Sequence, residues 1–114
     1  MIQEDANCQG KIEMVNVDVS DPASILACAT TVKEKLGEEK LYGLVNNAGT
    51  GEWVGEGCTR ENMIKTNVYG PKLMIEAFVD LLDSSCGRVV NMGSGGGPSF
   101  VGKLQEPEQT FWSS

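Results

Sequence analysis

Three places in this sequence of 114 residues carry side chains that could do chemistry. In Gly93-Ser94-Gly95-Gly96-Gly97, a single hydroxyl sits among glycines that permit a tight turn and close backbone approach. A phosphate loop would need G-x-G-x-x-G running into a helix, or G-x-x-x-x-G-K-[ST]. Here the sixth position is Pro98 and no Lys-Ser/Thr pair follows, so Ser94 reads either as a turn residue or as a hydrogen-bonding hydroxyl. The glycines after residue 48 fail the same test, because Val54 stands where the third glycine would be. In Asn46-Asn47-Ala48-Gly49, two amides can either tie loop backbone together or form a floor for a flat ligand. Asn67 lies four residues before Pro71. Proline has no N–H, so within a helix the Asn67 carbonyl loses its usual partner, and Gly70 weakens the helix further. A kink with an Asn67 carbonyl able to hold water is expected, against the plainer reading of a proline-kinked helix with an exposed Asn.

The elements that must position these groups are legible from pattern. Ile12–Val19 is a strand candidate rich in Val and Ile. Asp21 can cap a helix that begins at Pro22, carries Ile25, Leu26, Ala29, Val32 and Leu36 at helical spacing, and stops at Gly37. Leu41–Asn46 suits a short buried parallel strand. Thr59 can cap a second helix whose stripe runs from Met63 to Leu82, ending at Gly87, and Arg88–Met92 is a third strand candidate. The order β-α-β-α-β predicts an α/β fold, part of a Rossmann architecture, with three parallel strands joined by crossover helices in one domain over residues 1–114. Residues 1–11 are polar and expected to fray. Ligands collect at the carboxyl ends of such strands, where Asp18, Asn46–Gly49 and Gly93–Pro98 fall.

Composition narrows the function classes. The chain is 40% hydrophobic and 22% charged, with a net charge of −7 and only nine Lys and Arg, too few for the basic face of a nucleic-acid binder. No apolar run approaches the roughly 18 residues of a membrane span, and residues 1–20 lack the pattern of a signal peptide. Cys8, Cys28, Cys58 and Cys86 form no CxxC pair, and the absence of His removes both mixed zinc sites and a Cys–His nucleophile. Reduced thiols in a cytoplasmic protein, with no metal, are expected.

Taken together, these features resemble the short-chain dehydrogenase/reductase family. Val17-Asp18-Val19-Ser20-Asp21 is similar to the end of the family's third strand, where the Asp meets adenine. Leu44-Val45-Asn46-Asn47-Ala48-Gly49 looks like its N-N-A-G signature. Lys65-Thr66-Asn67-Val68-Tyr69-Gly70 resembles the helix bearing its structural and proton-relay Asn, and Gly87–Ser94 resembles the fifth strand ending in the active-site Ser. Four motifs in the right order over roughly residues 12–98 make the resemblance specific. It implies hydride transfer between a nicotinamide dinucleotide, NADP or NAD, and a small carbonyl or alcohol substrate. Ser94 and Asn67 would be catalytic, and Asp18, Val19, Asn47, Ala48 and Gly49 would bind the cofactor. The stretch from Gly97 to Leu104 is similar to the start of the insertion found in carbonyl-reductase-like members.

Two departures qualify that expectation. The family's Tyr-x-x-x-Lys pair is absent: Tyr42 and Tyr69 are followed at four residues by Asn46 and Leu73, and Lys72 stands only three residues after Tyr69. The Gly-rich dinucleotide loop is absent too. The sequence therefore reads as an internal piece of such an enzyme, inactive by itself. The alternatives are a truncated Rossmann-like protein that binds a partner through exposed strand edges, and an unrelated α/β module, which the ordered motifs disfavour. In the strand order 3-2-1-4-5-6, strands 2 and 1 separate the third from the fourth. The 12–19 strand must then pair directly with the next strand or stay loose, and either choice leaves edges prone to aggregation. The choice between NAD and NADP is made after the second strand, outside these residues.

Overall fold

The computed structural model describes residues 10–51, 55 and 57–104. Residues 1–9 of the 1–11 stretch expected to fray, with Cys8 among them, and residues 52–54 and 56 of the loop after Gly51 lie outside the described residues. Helix α1 spans Pro22–Leu36. Asp21 caps it in an extended conformation, its carboxylate accepting from the Ala23 N–H at 3.0 Å, and Pro22 takes a first-turn position where no donor is needed. Gly37, at φ 60°, ends the helix and donates its N–H to the Lys33 carbonyl. Ile25, Cys28 and Ala29 are buried and Val32 packs against them, which is the i, i+3, i+4, i+7 stripe of a core-facing helix. Leu26 falls off that stripe and is 63% exposed.

Strand β1 (Gly43–Asn46) and strand β2 (Arg88–Asn91) pair in parallel, with Leu44 opposite Val89 and Asn46 opposite Asn91. An isolated bridge between Leu41 and Leu82 extends the alignment. Between the strands runs one long helical crossover. It starts as α2 (Arg60–Ile64), capped by the Thr59 hydroxyl accepting from the Asn62 N–H at 3.2 Å. It widens to a π turn over Lys65–Tyr69, where Gly70 donates to the Lys65 carbonyl, and resumes as α3 (Gly70–Phe78). The proline interruption expected at Asn67 thus takes the form of one i→i+5 turn. A 3₁₀ turn over Val79–Leu81 closes the crossover. A short helix α4 (Gly96–Val101) follows β2. The core is Ile25, Cys28, Ala29, Leu44, Met74 and Phe78, where α1 and α3 meet one face of the sheet.

The three-stranded expectation is corrected here: among the described residues the sheet has two strands. Residues 10–18 form no strand. With no adjacent sheet edge to supply ladder partners, this segment lies against the helices instead. Val15 and Val19 pack on the core, the Asp18 N–H donates to Ser24 Oγ at 2.8 Å, and Glu13 pairs with Lys11 and, at 2.7 Å, with Lys35. Those two ammonium groups hold the Glu13 carboxyl down to about 2. The anchor is Gly70, which is buried: a Cβ there would lie 2.9 Å from the Val19 carbonyl oxygen and 3.3 Å from its side chain. Of the two alternatives for this stretch, the loose one holds, loose from the sheet but not from the molecule.

A tight corner sets the start of β2. Asp83 Oδ1 accepts from the Ser85 N–H at 2.8 Å, the Ser85 hydroxyl at 2.6 Å, the Cys86 N–H at 3.0 Å and the Cys86 thiol at 3.3 Å. Asp83 N–H also donates to the Leu41 carbonyl, and Gly87 N–H to the Asp83 carbonyl, against which a Cβ at Gly87 would collide. The Ser85 hydroxyl and N–H, with the Cys86 donors, hold the Asp83 carboxyl far below the usual carboxylate range.

Two expectations follow. Gly70→Ala should cost about 1–3 kcal/mol, the usual cost of overpacking, read as a lower urea midpoint with faster proteolysis within residues 10–19. An unchanged midpoint would mean the Val19 contact does not anchor that segment. For Asp83, the folded-state value is depressed, so its stabilisation is complete above the ordinary carboxyl pKa of about 4 and is lost as pH falls through the folded value. The urea midpoint should therefore fall on acidification below about pH 4, and fall less in Asp83→Asn. Parallel pH profiles for the two proteins would contradict this.

Candidate functional site

The carboxyl ends of β1 and β2 open into a cleft of about 700 Å³. One wall is the chain leaving β1, Asn46–Thr50; the second is Asn67, Val68 and Pro71 at the π turn; the third is the chain leaving β2, Asn91–Ser94. Ser94, Asn67, Asn47, Ala48 and Gly49, singled out from sequence, are therefore brought together. Asp18 and Val19 are not among the lining residues. The Asp18 carboxylate is turned onto its own loop, where Oδ1 accepts from the Ser20 N–H at 2.9 Å and the Ser20 hydroxyl at 2.7 Å. Those bonds lower its pKa. Val19 is occupied in packing on Gly70.

The walls are joined by side-chain amides. Asn67 Oδ1 accepts from the Thr50 N–H and Asn67 Nδ2 donates to the Thr50 carbonyl, both at 2.8 Å. One carboxamide thereby satisfies both backbone groups of one loop residue, as a neighbouring strand would. Gly49 lies beside this clamp, where a Cβ would stand 3.4 Å from Asn67 Oδ1, an ordinary contact. The Thr50 hydroxyl lies 3.5 Å from Cys58 Sγ, linking the same loop to the start of the crossover. At the strand ends, Asn46 Nδ2 donates to Asn91 Oδ1 at 2.8 Å and the Met92 N–H to the Asn46 carbonyl at 2.9 Å.

Ser94 stands in the turn beyond this tie. Its Oγ accepts the Gly96 N–H at 3.1 Å, and its carbonyl accepts the Gly97 N–H at 3.2 Å. A hydroxyl that accepts a backbone N–H still has its own proton to donate. The cleft thus combines one free O–H donor, amide groups and a glycine-lined floor, suited to a flat polar ligand with an oxygen near Ser94.

Sequence reasoning missed Thr50, Asn91 and the contact at Gly70. Thr50 acts through its backbone, which leaves no mark on residue type. The Asn46–Asn91 pair becomes visible only once the strand register is known. Among the described residues no group of His, Cys, Asp and Glu could hold a metal ion, and Cys28, Cys58 and Cys86 are free thiols. No helix among them is long and apolar enough to cross a membrane.

Comparison with known proteins identifies the family. Residues 1–105 match the short chain dehydrogenase family, and the chain belongs to that family. It is 35% identical over 101 residues to the bovine short-chain dehydrogenase/reductase family 9C member 7, covering 84% of this chain and 32% of that protein. It is 41% identical over 101 residues to the (+)-neomenthol dehydrogenase of Arabidopsis thaliana, covering 68% and 33%. Among solved structures it resembles the NADPH-bound carbonyl reductase from chicken fatty liver, with a TM-score of 0.56 and 31% identity over 71% of this chain and 37% of that one. The architecture is thus α/β and part of a Rossmann fold. The chain spans about a third of the length of these relatives.

The Asn67 clamp is open to direct test. Asn67→Leu should lower stability by about 1–3 kcal/mol, two hydrogen bonds at roughly 0.5–1.5 kcal/mol net each, and expose the Thr50 N–H to solvent exchange. Asn67→Asp keeps an acceptor for that N–H and should preserve its protection. Equal exchange at Thr50 in both variants would show that the amide is not what holds the loop.

Proposed function

We propose that this chain forms the strand-end half of an NAD(P)-dependent oxidoreductase site that interconverts a small carbonyl compound and its alcohol. The observation that carries the reading is the single cleft in which Ser94, Asn67 and Asn47–Gly49 converge. The nicotinamide dinucleotide, when bound, supplies the hydride. Ser94 donates its hydroxyl proton as a hydrogen bond to the substrate oxygen, a role its bond from the Gly96 N–H leaves open. The Asn67 carbonyl, deprived of a donor at Pro71, holds a water that relays protons. Asn47, Ala48 and Gly49 line the nicotinamide-ribose side. Asp18 and Val19, outside the cleft lining, would hold the adenine end of the cofactor.

The NADPH in the chicken carbonyl reductase supports a nicotinamide cofactor, NADP or NAD, for the same fold. The family's proton-donating Tyr and its Lys have no counterpart at the required spacing in these 114 residues. General acid catalysis from a positioned side chain typically gives about 10²–10⁴-fold. The isolated polypeptide is therefore proposed to be inactive. A second reading, a non-catalytic Rossmann-like protein that binds a partner through its sheet, draws support from Val45 and Val90, which are 60% and 45% exposed on the strands.

A chimera tests the first reading. Residues 41–98 replace the matching segment of the chicken carbonyl reductase. The chimera should oxidise NADPH in the presence of a carbonyl substrate, and Ser94→Ala within it should lower kcat/KM by about 10²–10³-fold, as for loss of a donor to a reacting oxygen. Activity indifferent to that substitution would overturn the role of Ser94. The isolated chain should show neither saturable NADPH binding at micromolar concentration nor carbonyl-dependent NADPH oxidation. Tight saturable binding would contradict the claim that its cofactor site is incomplete.

A further inference from the structure

The turn that bears Ser94 has few ties to the rest of the molecule. From Gly93 to Phe100 every residue is exposed, and the hydrogen bonds of Ser94 and Gly95 run to neighbours within the same turn. The last links before it are the Met92 N–H on the Asn46 carbonyl and the Asn46–Asn91 carboxamide pair, both at the final register position of the sheet. Beyond that position a parallel ladder has nothing to stop it from fraying. The backbone bond alone is worth roughly 0.5–1.5 kcal/mol net, so a second bond at the same register matters.

We infer that Asn91 is the positioning residue for the Ser94 hydroxyl. Its carboxamide latches the end of β2 to Asn46 and fixes the point from which the Ser94 turn departs. The inference rests on the reading of Ser94 as the donor to the substrate oxygen. The latch itself is a property of the chain alone.

The pairing chemistry gives a signature that loss of packing would not. Asp at position 91 still offers an oxygen to Asn46 Nδ2, and Asp at position 46 still accepts from Asn91 once that amide rotates. Two carboxylates in contact repel, unless one is protonated and donates to the other. The test is backbone amide exchange and ¹⁵N relaxation on the 114-residue chain, with no cofactor present. In Asn91→Leu the Met92 N–H should exchange about two- to tenfold faster, the equivalent of one hydrogen bond. The order parameter of Ser94 N–H should fall toward about 0.6 or below, the flexible range. Asn91→Asp should stay within about twofold of the parent chain, a smaller change than the loss of one bond. The double variant N46D/N91D should lose protection at neutral pH and regain it, after correction for intrinsic exchange, below about pH 5, as one carboxyl takes up a proton.

Wild-type behaviour of Asn91→Leu at Met92 and Ser94 would overturn the inference, as would an Asn91→Asp chain as disturbed as Asn91→Leu. If Asn91→Leu does not fold, the double variant decides: protection independent of pH rules the latch out. Because no nucleotide is added, failure here leaves the cofactor reading standing, and absence of NADPH binding leaves the latch standing.

Discussion

The arrangement depends on one side chain meeting one peptide unit. Asn67 satisfies both the N–H and the carbonyl of Thr50, and so fastens the loop leaving β1 to the π turn of the crossover helix. Among the described residues, no other hydrogen bond joins these two walls of the cleft at that level. The need for such a clamp follows from the loop itself. Residues rich in glycine have little side-chain surface to bury, so loop position must come from hydrogen bonds and not from packing. The π turn supplies the geometry, because Pro71 forbids the ordinary ladder at the place where Asn67 must reach outward.

Packing does a different job. The core of Ile25, Cys28, Ala29, Leu44, Met74 and Phe78 fixes α1 and α3 against one face of a two-stranded sheet. Among the described residues nothing covers the other face, where Val45 and Val90 are exposed. All-parallel sheets elsewhere are covered on both faces. The polar corner at Asp83 and the amide ties at Asn46 and Asn91 accordingly hold the two ends of a sheet that apolar burial secures from one side only.

Local rules were legible where local physics decides. Asp21, Pro22 and Gly37 marked both ends of α1 to the residue, Thr59 marked the start of the crossover, and Pro71 marked the irregularity that became the π turn. Val-rich residues 12–19 misled, because a strand is a property of a pair and this stretch has no neighbour in the sheet. The motifs that end β1 and β2 line one cleft and Asp18 does not, while the groups holding them did not announce themselves. Thr50 works through its peptide, Asn91 through a register that sequence does not reveal, and Gly70 through a close approach that only the fold creates.

The π turn also changes how the crossover helix is phased. A turn of i→i+5 type contains one more residue than an α turn, and one residue corresponds to a rotation of roughly 100° about the helix axis. The residues after Tyr69 therefore face a direction that an uninterrupted helix starting at Thr59 would not give them. This lets one continuous helix serve two surroundings: α2 buries none of its residues, while α3 buries Gly70, Met74 and Phe78 in succession along one side. Without the extra residue, Gly70, Met74 and Phe78 would be turned by roughly 100° relative to α2. Here the extra residue acts as a gear between the half that faces the loop and the half that faces the core, so the length of the segment between Thr59 and Gly70 is fixed by rotation as much as by reach.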